Sequence, residues 1–270
     1  MADDLNESIQ AAAHLLRNSQ RVVVFTGAGI SAESGIGTFR DAEGLWSRFP
    51  PEVFATWEGL FEVLASQPKR AAEFVRALVE PILNAEPNAA HRAVAELEKY
   101  KSITVVTQNI DGLHEAAGSS RVYAVHGRLY ETVTFNGSHR QALEKHALAH
   151  IVSKLHEMEG REASAQDVLA ALRPLLDLES AEPYRPNLVM FGDVLSEPDW
   201  TLAQQAVAEC DCLISIGTSG SVYPAATLPL RAKSRGAAVL GIDPEQGEAD
   251  VWIAARAGTA VPALVEAATR

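Results

Sequence analysis

Apolar positions along the chain follow two periods. Residues 22–25 (Val-Val-Val-Phe) form an unbroken apolar run, and residues 103–106, 213–216 and 237–242 form similar short runs, interrupted only at Thr104, Ser215 and Gly241. Runs this short, rich in β-branched residues and without a polar face, predict strands buried on both sides. Elsewhere the period lengthens. Ile9, Ala12, Ala13 and Leu16 share one face of a helix predicted over 7–18. Asn88, following Pro87, caps a helix that carries Ala93, Val94 and Leu97. Further helices are predicted over 199–209, over 225–234 and from 260 onward. Strands alternating with helices predict an α/β fold, a parallel sheet with helices on both faces.

Two stretches break the alternation. Residues 128–185 are polar and charged, with helical patterning over 139–158 and 165–177 and no strong apolar strand. They read as a small helical module inserted into the α/β domain. Residues 36–57 are irregular and hold Phe39, Trp46, Phe49, Phe54 and Trp57. A lid over a pocket and a cluster packed beneath a long loop both fit that aromatic density.

The strands end on small or polar residues, at Gly27, Gln108-Asn109, Gly217 and Asp243. In parallel sheets ligands bind beyond the carboxyl ends of the strands. Gly27, Gly29 and Ala32 have the spacing that sets a pyrophosphate on a helix N-terminus, with Ile30, Ser31 and Ala32 predicted to open that helix. A strand–turn–helix corner packed by small residues has the same spacing. An ordinary dinucleotide fold also carries an acid about 20 residues further on, after a second strand. Here Glu-Ser-Gly-Ile-Gly-Thr-Phe-Arg-Asp follows Ala32 with no strand behind it, so a simple dehydrogenase fits poorly. Thr107-Gln108-Asn109-Ile110-Asp111-Gly112-Leu113-His114 places several polar side chains behind a buried strand. Such groups need a ligand or one another. Asp111 suits a carboxamide and Asn109 a water, and an Asx-type turn is the plain alternative. His126 stands between an apolar run and Gly127, and imidazole is a suitable base near neutrality.

Charge and cysteine content narrow the field. A net charge of −12 gives no basic footprint for nucleic acid or an anionic membrane, while an acidic surface admits lysine-rich partners. No apolar run approaches the ~18 residues of a membrane span, and the acidic first residues are no signal peptide, so a cytoplasmic location is expected. Cys210 and Cys212 are one residue apart, which suits neither a zinc knuckle nor a redox pair; they are predicted at the start of a buried strand. His146 and His150 lie one helical turn apart without a third ligand, and no metal site is predicted.

Five segments, taken in order, resemble the sirtuins, the NAD-dependent protein lysine deacylases. They are Gly-Ala-Gly-Ile-Ser-Ala-Glu-Ser-Gly-Ile-Gly-Thr-Phe-Arg (27–40), Thr-Gln-Asn-Ile-Asp-Gly-Leu-His (107–114), His126-Gly127, Pro-Asn-Leu-Val-Met-Phe-Gly-Asp (186–193) and Gly-Thr-Ser-Gly-Ser-Val-Tyr-Pro-Ala-Ala (217–226). The resemblance implies a Rossmann-like domain of 1–127 and 186–270, a cofactor-binding loop of 36–60 within it, and the inserted domain of 128–185. It implies that Gly27, Ala28, Gly29 and Ser31 belong to the NAD site, with Arg40 near the phosphates and Phe39 shielding the reaction centre. Gln108 would contact the nicotinamide ribose, Asn109 would hold a water, and Ile110 and Asp111 would receive the carboxamide. Gly217, Thr218 and Ser219 would line the phosphates and adenosine. Asp243, where the family usually has asparagine, would face the adenosine ribose. Phe191, Gly192 and Asp193 would form one edge, and Gly220, Ser221 and Val222 the other, of a clamp that holds an acylated-lysine peptide by strand addition.

The implied chemistry is attack of the acyl oxygen on the nicotinamide ribose as nicotinamide leaves. His126 then activates a ribose hydroxyl toward the resulting alkylamidate, giving free lysine and O-acyl-ADP-ribose. ADP-ribosyl transfer to protein or NAD hydrolysis on the same fold, and a non-catalytic NAD-sensing module, are the competing readings. Retention of Asn109, Asp111 and His126 together weighs against the last.

The chain departs from the family at three further places. The family's two Cys-x-x-Cys pairs are missing; Phe135 and Ser138 fall about where the first would stand, and 178–183 lacks the second. A thiolate zinc site is thereby excluded, and helix packing is expected to hold the module. The positions of the tyrosine and arginine found in succinyl- and malonyl-preferring members hold Val75 and Leu78, with Arg76 at a different helical phase. An acyl pocket for acetyl or longer neutral groups is expected. Gly37 replaces a proline common in the cofactor loop, which frees the loop in the unliganded state. Gly37→Pro is expected to tighten NAD binding in the absence of peptide by about two- to fivefold. Calorimetry that finds an unchanged dissociation constant contradicts this.

Overall fold

A computed structural model describes residues 2–38, 44–137 and 139–270. Its strands are β1 (Arg21–Thr26), β2 (Ser102–Thr107), β3 (Val122–Ala124), β4 (Gly127–Thr134), β5 (Arg140–Ala142), β6 (Tyr184–Leu188), β7 (Cys212–Ile216), β8 (Ala238–Ile242) and β9 (Val251–Ile253). The chain divides into two units. Met1–Ile36, Glu86–Val125 and Ser196–Arg270 make the first; Gly37–Ala85 and His126–Leu195 make the second.

In the first unit the four apolar runs become parallel strands of one sheet, ordered β3-β2-β1-β7-β8-β9. Val24 lies opposite Val105 on one side and Ile214 on the other. Alternate residues Val22, Val24, Val105, Ile214 and Leu240 share a core with the helices Ala2–Arg17, Ala89–Leu97 and Ala257–Thr269. The opposite face meets the helices Asp199–Glu209 and Leu228–Ser234, which pack on β1, β3, β7 and β8. Covering both faces is what allows every residue from Val22 to Thr26 to be buried. Cys212 opens β7 fully buried, and burial pushes its thiol up to about 12. The edge strands β3 and β9 are three residues each, too short to leave a period in the sequence.

Past β1 the chain does not open the expected α-helix. It makes two 3-10 turns, Ala28–Ile30 and Ala32–Ser34, and Gly35 closes the second with φ +85. With Gly35 and Gly37 so near, the first turn has nothing to propagate into.

The second unit carries an antiparallel sheet, ordered β5-β4-β6, that the apolar pattern does not predict. Helices Lys145–Glu157 and Ala165–Leu172 stand where the helical patterning places them, but residues 140–142 form β5 instead of helix. The sheet escapes the pattern because β4 alternates buried and half-buried residues and its register shifts between Arg128 and Thr132. The unit is also larger than 128–185. Helices Trp57–Ser66 and Pro68–Asn84 belong to it, the latter packing on Lys145–Glu157 and Ala165–Leu172. Phe49 and Phe54, from the aromatic stretch, are buried against Phe74 with ring centroids 5.4 and 5.0 Å away. Packing, not lid formation, accounts for those two. Phe39 lies outside the described residues, as does Ser138.

Leu148, Ile151, Leu155, Val168 and Leu172 form a buried apolar interior for this unit. Asp177 and Tyr184 close its far end through two backbone hydrogen bonds of 3.1 and 3.0 Å, and the Tyr184 hydroxyl donates to the Arg173 carbonyl at 2.8 Å. Among the described residues no group of three or more His, Cys, Asp or Glu is placed to hold a metal, and no helix is long and apolar enough to cross a membrane.

Gly241 in β8 lies beneath the Trp252 ring, where an added Cβ would fall 2.0 Å from a ring carbon. Trp252 is also pinned, donating from Nε1 to the Asp243 carbonyl at 3.1 Å. Gly241→Ala is therefore expected to cost about 1–3 kcal/mol of stability in chemical denaturation. An unchanged midpoint would show that the ring moves aside freely.

Candidate active site

Strand order reverses between β1 and β7, and three strand ends are tied together there. Gly27 N–H donates to the Ile216 carbonyl, Gly29 N–H to Gly217, and Gly217 N–H to Ile242, each at 3.0 Å. The loops approach so closely that a Cβ on Gly29 would sit 2.6 Å from Gly217 Cα. Gly217 itself needs φ +61. These glycines thus serve first to let two loops touch. Ile30 and Ser31 spend their amides inside the turns, on Gly27 and Ala28, so the corner is not the row of free N–H groups that its spacing predicts. Ala28 and Gly29 are half-buried, and Thr218 and Ser219 follow Gly217 with hydroxyls already engaged. Thr218 Oγ1 accepts from Gly220 N–H at 3.3 Å, and the Ser219 and Ser221 hydroxyls lie 2.7 Å apart.

A buried polar cluster stands behind β2. Gln108 N–H extends the sheet by donating to the Thr26 carbonyl at 2.9 Å. Asn109 Nδ2 donates to the Gly27 carbonyl and to Ser31 Oγ, both at 3.1 Å. A carbonyl can only accept, so the amide is fixed with its nitrogen toward Gly27 and its oxygen turned away. Ser31 Oγ donates to Asp111 Oδ2 at 2.7 Å, and Leu113 N–H donates to Asp111 Oδ1 at 3.0 Å. Burial pushes the Asp111 carboxyl above its usual range, against the pull of those two donors. A carboxylate has about four acceptor sites, so capacity remains for an incoming N–H.

Two histidines back this cluster, and neither is among the site residues expected from sequence. His91 sits three residues into the helix that Asn88 caps, and its Nδ1 accepts from Asn88 N–H at 3.4 Å. Its Nε2 is therefore protonated and faces Ser31 Oγ at 3.5 Å. His114 Nε2 lies 3.1 Å from Thr26 Oγ1, whose hydrogen goes to Thr107 Oγ1 at 2.8 Å. His114 must then donate from Nε2, leaving Nδ1 as a buried lone pair without a partner. Thr107 Oγ1 in turn receives Asn109 N–H at 3.0 Å. The rings meet edge to face at 4.9 Å, and burial lowers His91 to about 4 and His114 to about 3. Both are neutral at physiological pH. The Asn-x-x-His capping box is the one sequence signal that marks His91.

Ile110 is half-buried beside this cluster in sequence. Asp243, at the end of β8, is half-buried with its carboxyl pushed up by burial, and its Oδ1 accepts from Glu245 N–H at 2.9 Å. Gly220 has φ +63, Ser221 is exposed and Val222 is half-buried, its carbonyl accepting from Ala226 N–H at 2.9 Å.

The second unit holds the remaining residues. His126 is half-buried ahead of β4, and its carbonyl accepts from Val189 N–H at 3.0 Å. Gly127 next to it has φ +83, and a Cβ there would fall 1.9 Å from the Asn187 carbonyl oxygen. Glycine at 127 is what lets β4 carry His126 against β6. Phe191 is exposed and Gly192 has φ +93, whereas Asp193 is occupied within the fold, accepting from Trp57 Nε1 and Met190 N–H. Val75 and Leu78 are half-buried on the helix Pro68–Asn84. Arg76 between them is committed to Glu159 and lies 3.2 Å from His156 Nδ1. Phe39 and Arg40 lie outside the described residues.

Comparison with known proteins gives a consistent picture. The Sir2 family model matches residues 27–224. The NAD-dependent protein deacylase of Desulfosudis oleivorans is 37% identical over 269 residues, spanning 97% of this chain and 96% of that protein. A Sir2 homologue solved in complex with NAD superposes with a TM-score of 0.75 at 33% identity, over 95% of this chain and 92% of that one. Sir2Af2 bound to a myristoylated histone peptide gives a TM-score of 0.71 at 30% identity, over 98% of both chains.

The neutral histidines make stability depend on pH. Their folded-state values, about 4 and about 3, lie below the ordinary 6.5 of an unfolded histidine. The unfolded chain therefore binds more protons below pH 6.5, and stability present above that pH is lost as pH falls through it. Each histidine contributes up to about 1.4 kcal/mol per pH unit across its window. The raised Asp111 carboxyl acts in the opposite sense, because the folded state holds its proton more tightly than the unfolded chain does. Denaturation between pH 7 and 5.5 should show the fall, and His114→Gln should remove about one proton's worth of slope. An equal slope in the variant contradicts a buried, neutral His114.

Proposed function

The chain belongs to the Sir2 family, and from that premise we infer how its own residues share the work of an NAD-dependent protein deacylase. The observation that carries the reading is the buried Ser31–Asn109–Asp111 cluster at the carboxyl end of β2. Buried polar groups held in one orientation, with an amide oxygen and a carboxylate still able to accept, are costly unless a ligand donates to them. A carboxamide and a ribose are such ligands, so the residues fit NAD. When bound, NAD would supply a ribose carbon that becomes electrophilic as nicotinamide leaves and a neighbouring ribose hydroxyl that receives the acyl group, giving O-acyl-ADP-ribose.

Asp111 accepts the carboxamide N–H, with Ile110 beside it, and the Asn109 carbonyl accepts from a water or a ribose hydroxyl. Gln108 contacts the ribose. Gly27, Ala28, Gly29, Thr218 and Ser219 lie along the phosphates, and Asp243 accepts from the adenosine ribose. Phe39 and Arg40 belong to the loop that shields the reaction from water. His126 takes the ribose hydroxyl proton on its imidazole nitrogen, which a neutral histidine does near physiological pH. Phe191–Gly192 and Gly220–Val222 pair with the backbone of the acylated peptide, a mode that reads little sequence.

Val75 and Leu78 line the acyl pocket. With Arg76 spent on Glu159, that stretch of helix offers no cation to an acidic acyl group, and the pocket takes acetyl or longer neutral chains. Mass spectrometry of products from NAD and a panel of acyl-lysine peptides tests this directly. Free lysine, nicotinamide and O-acyl-ADP-ribose are expected from the neutral acyl peptides, with His126→Ala slower by about a hundredfold or more. ADP-ribosylated protein would instead assign a transferase, and no nicotinamide at all a sensing module. Faster turnover of a succinylated than an acetylated peptide contradicts the pocket.

A further inference from the structure

Residues 190–194 carry a peculiar combination: exposed apolar side chains on a tightly held backbone. Phe191 is 52% exposed and Val194 87% exposed. Yet Phe191 N–H donates to the Ala55 carbonyl at 2.7 Å, and Asp193 N–H donates to Met190 at 3.0 Å. The Asp193 carboxylate receives two donors on one oxygen: Met190 N–H at 3.1 Å and the indole Nε1–H of Trp57 at 2.9 Å.

Trp57 is itself immobilised from two directions. Its N–H, the only hydrogen-bonding group an indole has, is spent on Asp193. The Arg185 guanidinium stacks on its ring, 5.1 Å from the centroid, and Arg185 is tied in turn to the Leu188 carbonyl at 3.0 Å. The backbone beneath Trp57 is set by Thr56, which caps the helix by accepting Gly59 N–H at 3.1 Å. Residues 55–57 and 185–193 therefore form a closed set of contacts within the second unit. Opposite an aspartate a tryptophan makes a charge-assisted hydrogen bond, stronger than a neutral one.

We propose that Trp57 is a positioning residue for the peptide: by holding Asp193 it keeps residues 190–193 in the conformation that pairs with the acylated chain. This rests on the reading of Phe191 and Gly192 as a peptide edge. Trp57 touches neither reacting group; it acts through the loop. A preformed edge binds with less ordering cost than a free one, so the effect falls on peptide affinity rather than on chemistry.

Steady-state kinetics with an acetyl-lysine peptide separates the possibilities. Trp57→Phe keeps an aromatic ring in place but removes the N–H donor, at the cost of some ring area. It should raise KM for peptide about tenfold, which is ~1.4 kcal/mol, with kcat at saturating peptide and KM for NAD within about twofold of wild type. Asp193→Leu should produce a similar rise. Asp193→Asn should retain most of what leucine loses, because one carbonyl oxygen can still take both donors. Trp57→Phe with Asp193→Leu together should do no more than either alone. Additive effects, or an unchanged peptide KM in Trp57→Phe, overturn the proposal. Phe191→Ala is the control for the underlying reading: if it too leaves peptide KM unchanged, the peptide edge is misassigned and the proposal falls with it. If Phe191→Ala raises KM and Trp57→Phe does not, only the proposal falls. Should Trp57→Phe fail to fold, the leucine and asparagine variants of Asp193 decide the same question, and equal KM values in the two overturn the proposal.

Discussion

The contact on which the first unit depends is the touch of two loops, Gly29 on Gly217, where strand order reverses. It needs glycine on both sides, since a Cβ on Gly217 would fall 2.4 Å from the Ile30 nitrogen. Because the loops meet there, Ser31 is carried to the end of β2, where Asn109 and Asp111 wait. The glycine corner is thus a spacer that sets a polar cluster, more than an anion cradle of its own. A residue with a side chain at either position would push Ser31 away from Asp111 and leave a buried carboxylate with one donor fewer.

That cluster is electrically quiet by construction. His91 and His114 are too buried to charge, so they act as fixed dipoles whose tautomers are set by Asn88 and Thr26. The chain of donors runs from backbone through histidine to serine to aspartate, and it leaves Asp111 and the Asn109 oxygen with acceptor capacity. The groups that position the cluster are separate from His126, the residue assigned the proton transfer, which stands on the second unit's first strand turn. The cluster belongs to the unit with the parallel sheet, and His126 to the unit with the antiparallel one.

The parallel sheet was legible because strands buried on both faces leave apolar runs with little or no interruption, as at 22–25 and 213–216. The polar strand ends were legible for the complementary reason that polar side chains behind a buried run need partners; the Asx-type alternative is also present, in the Leu113 N–H bond to Asp111. Other features were hidden by their physics. The glycine spacing at 27–32 is shared by helix starts and by paired 3-10 turns, and only Gly35 and Gly37 separate them. β4 has a bulge and half-buried residues, so its period is blurred. The indole–carboxylate bond from Trp57 to Asp193 joins residues 136 apart and leaves no local pattern. Of the two histidines behind the cluster, His91 alone has a readable mark, in the capping box.

Cleavage of NAD is useful to a deacylase only if it is coupled to an acyl-lysine. Nicotinamide release from NAD, followed with and without an acetylated peptide, reads that coupling without any variant. Release should depend on the acetylated peptide and stay at background with the same peptide unmodified. Equal release in its absence would contradict the coupling.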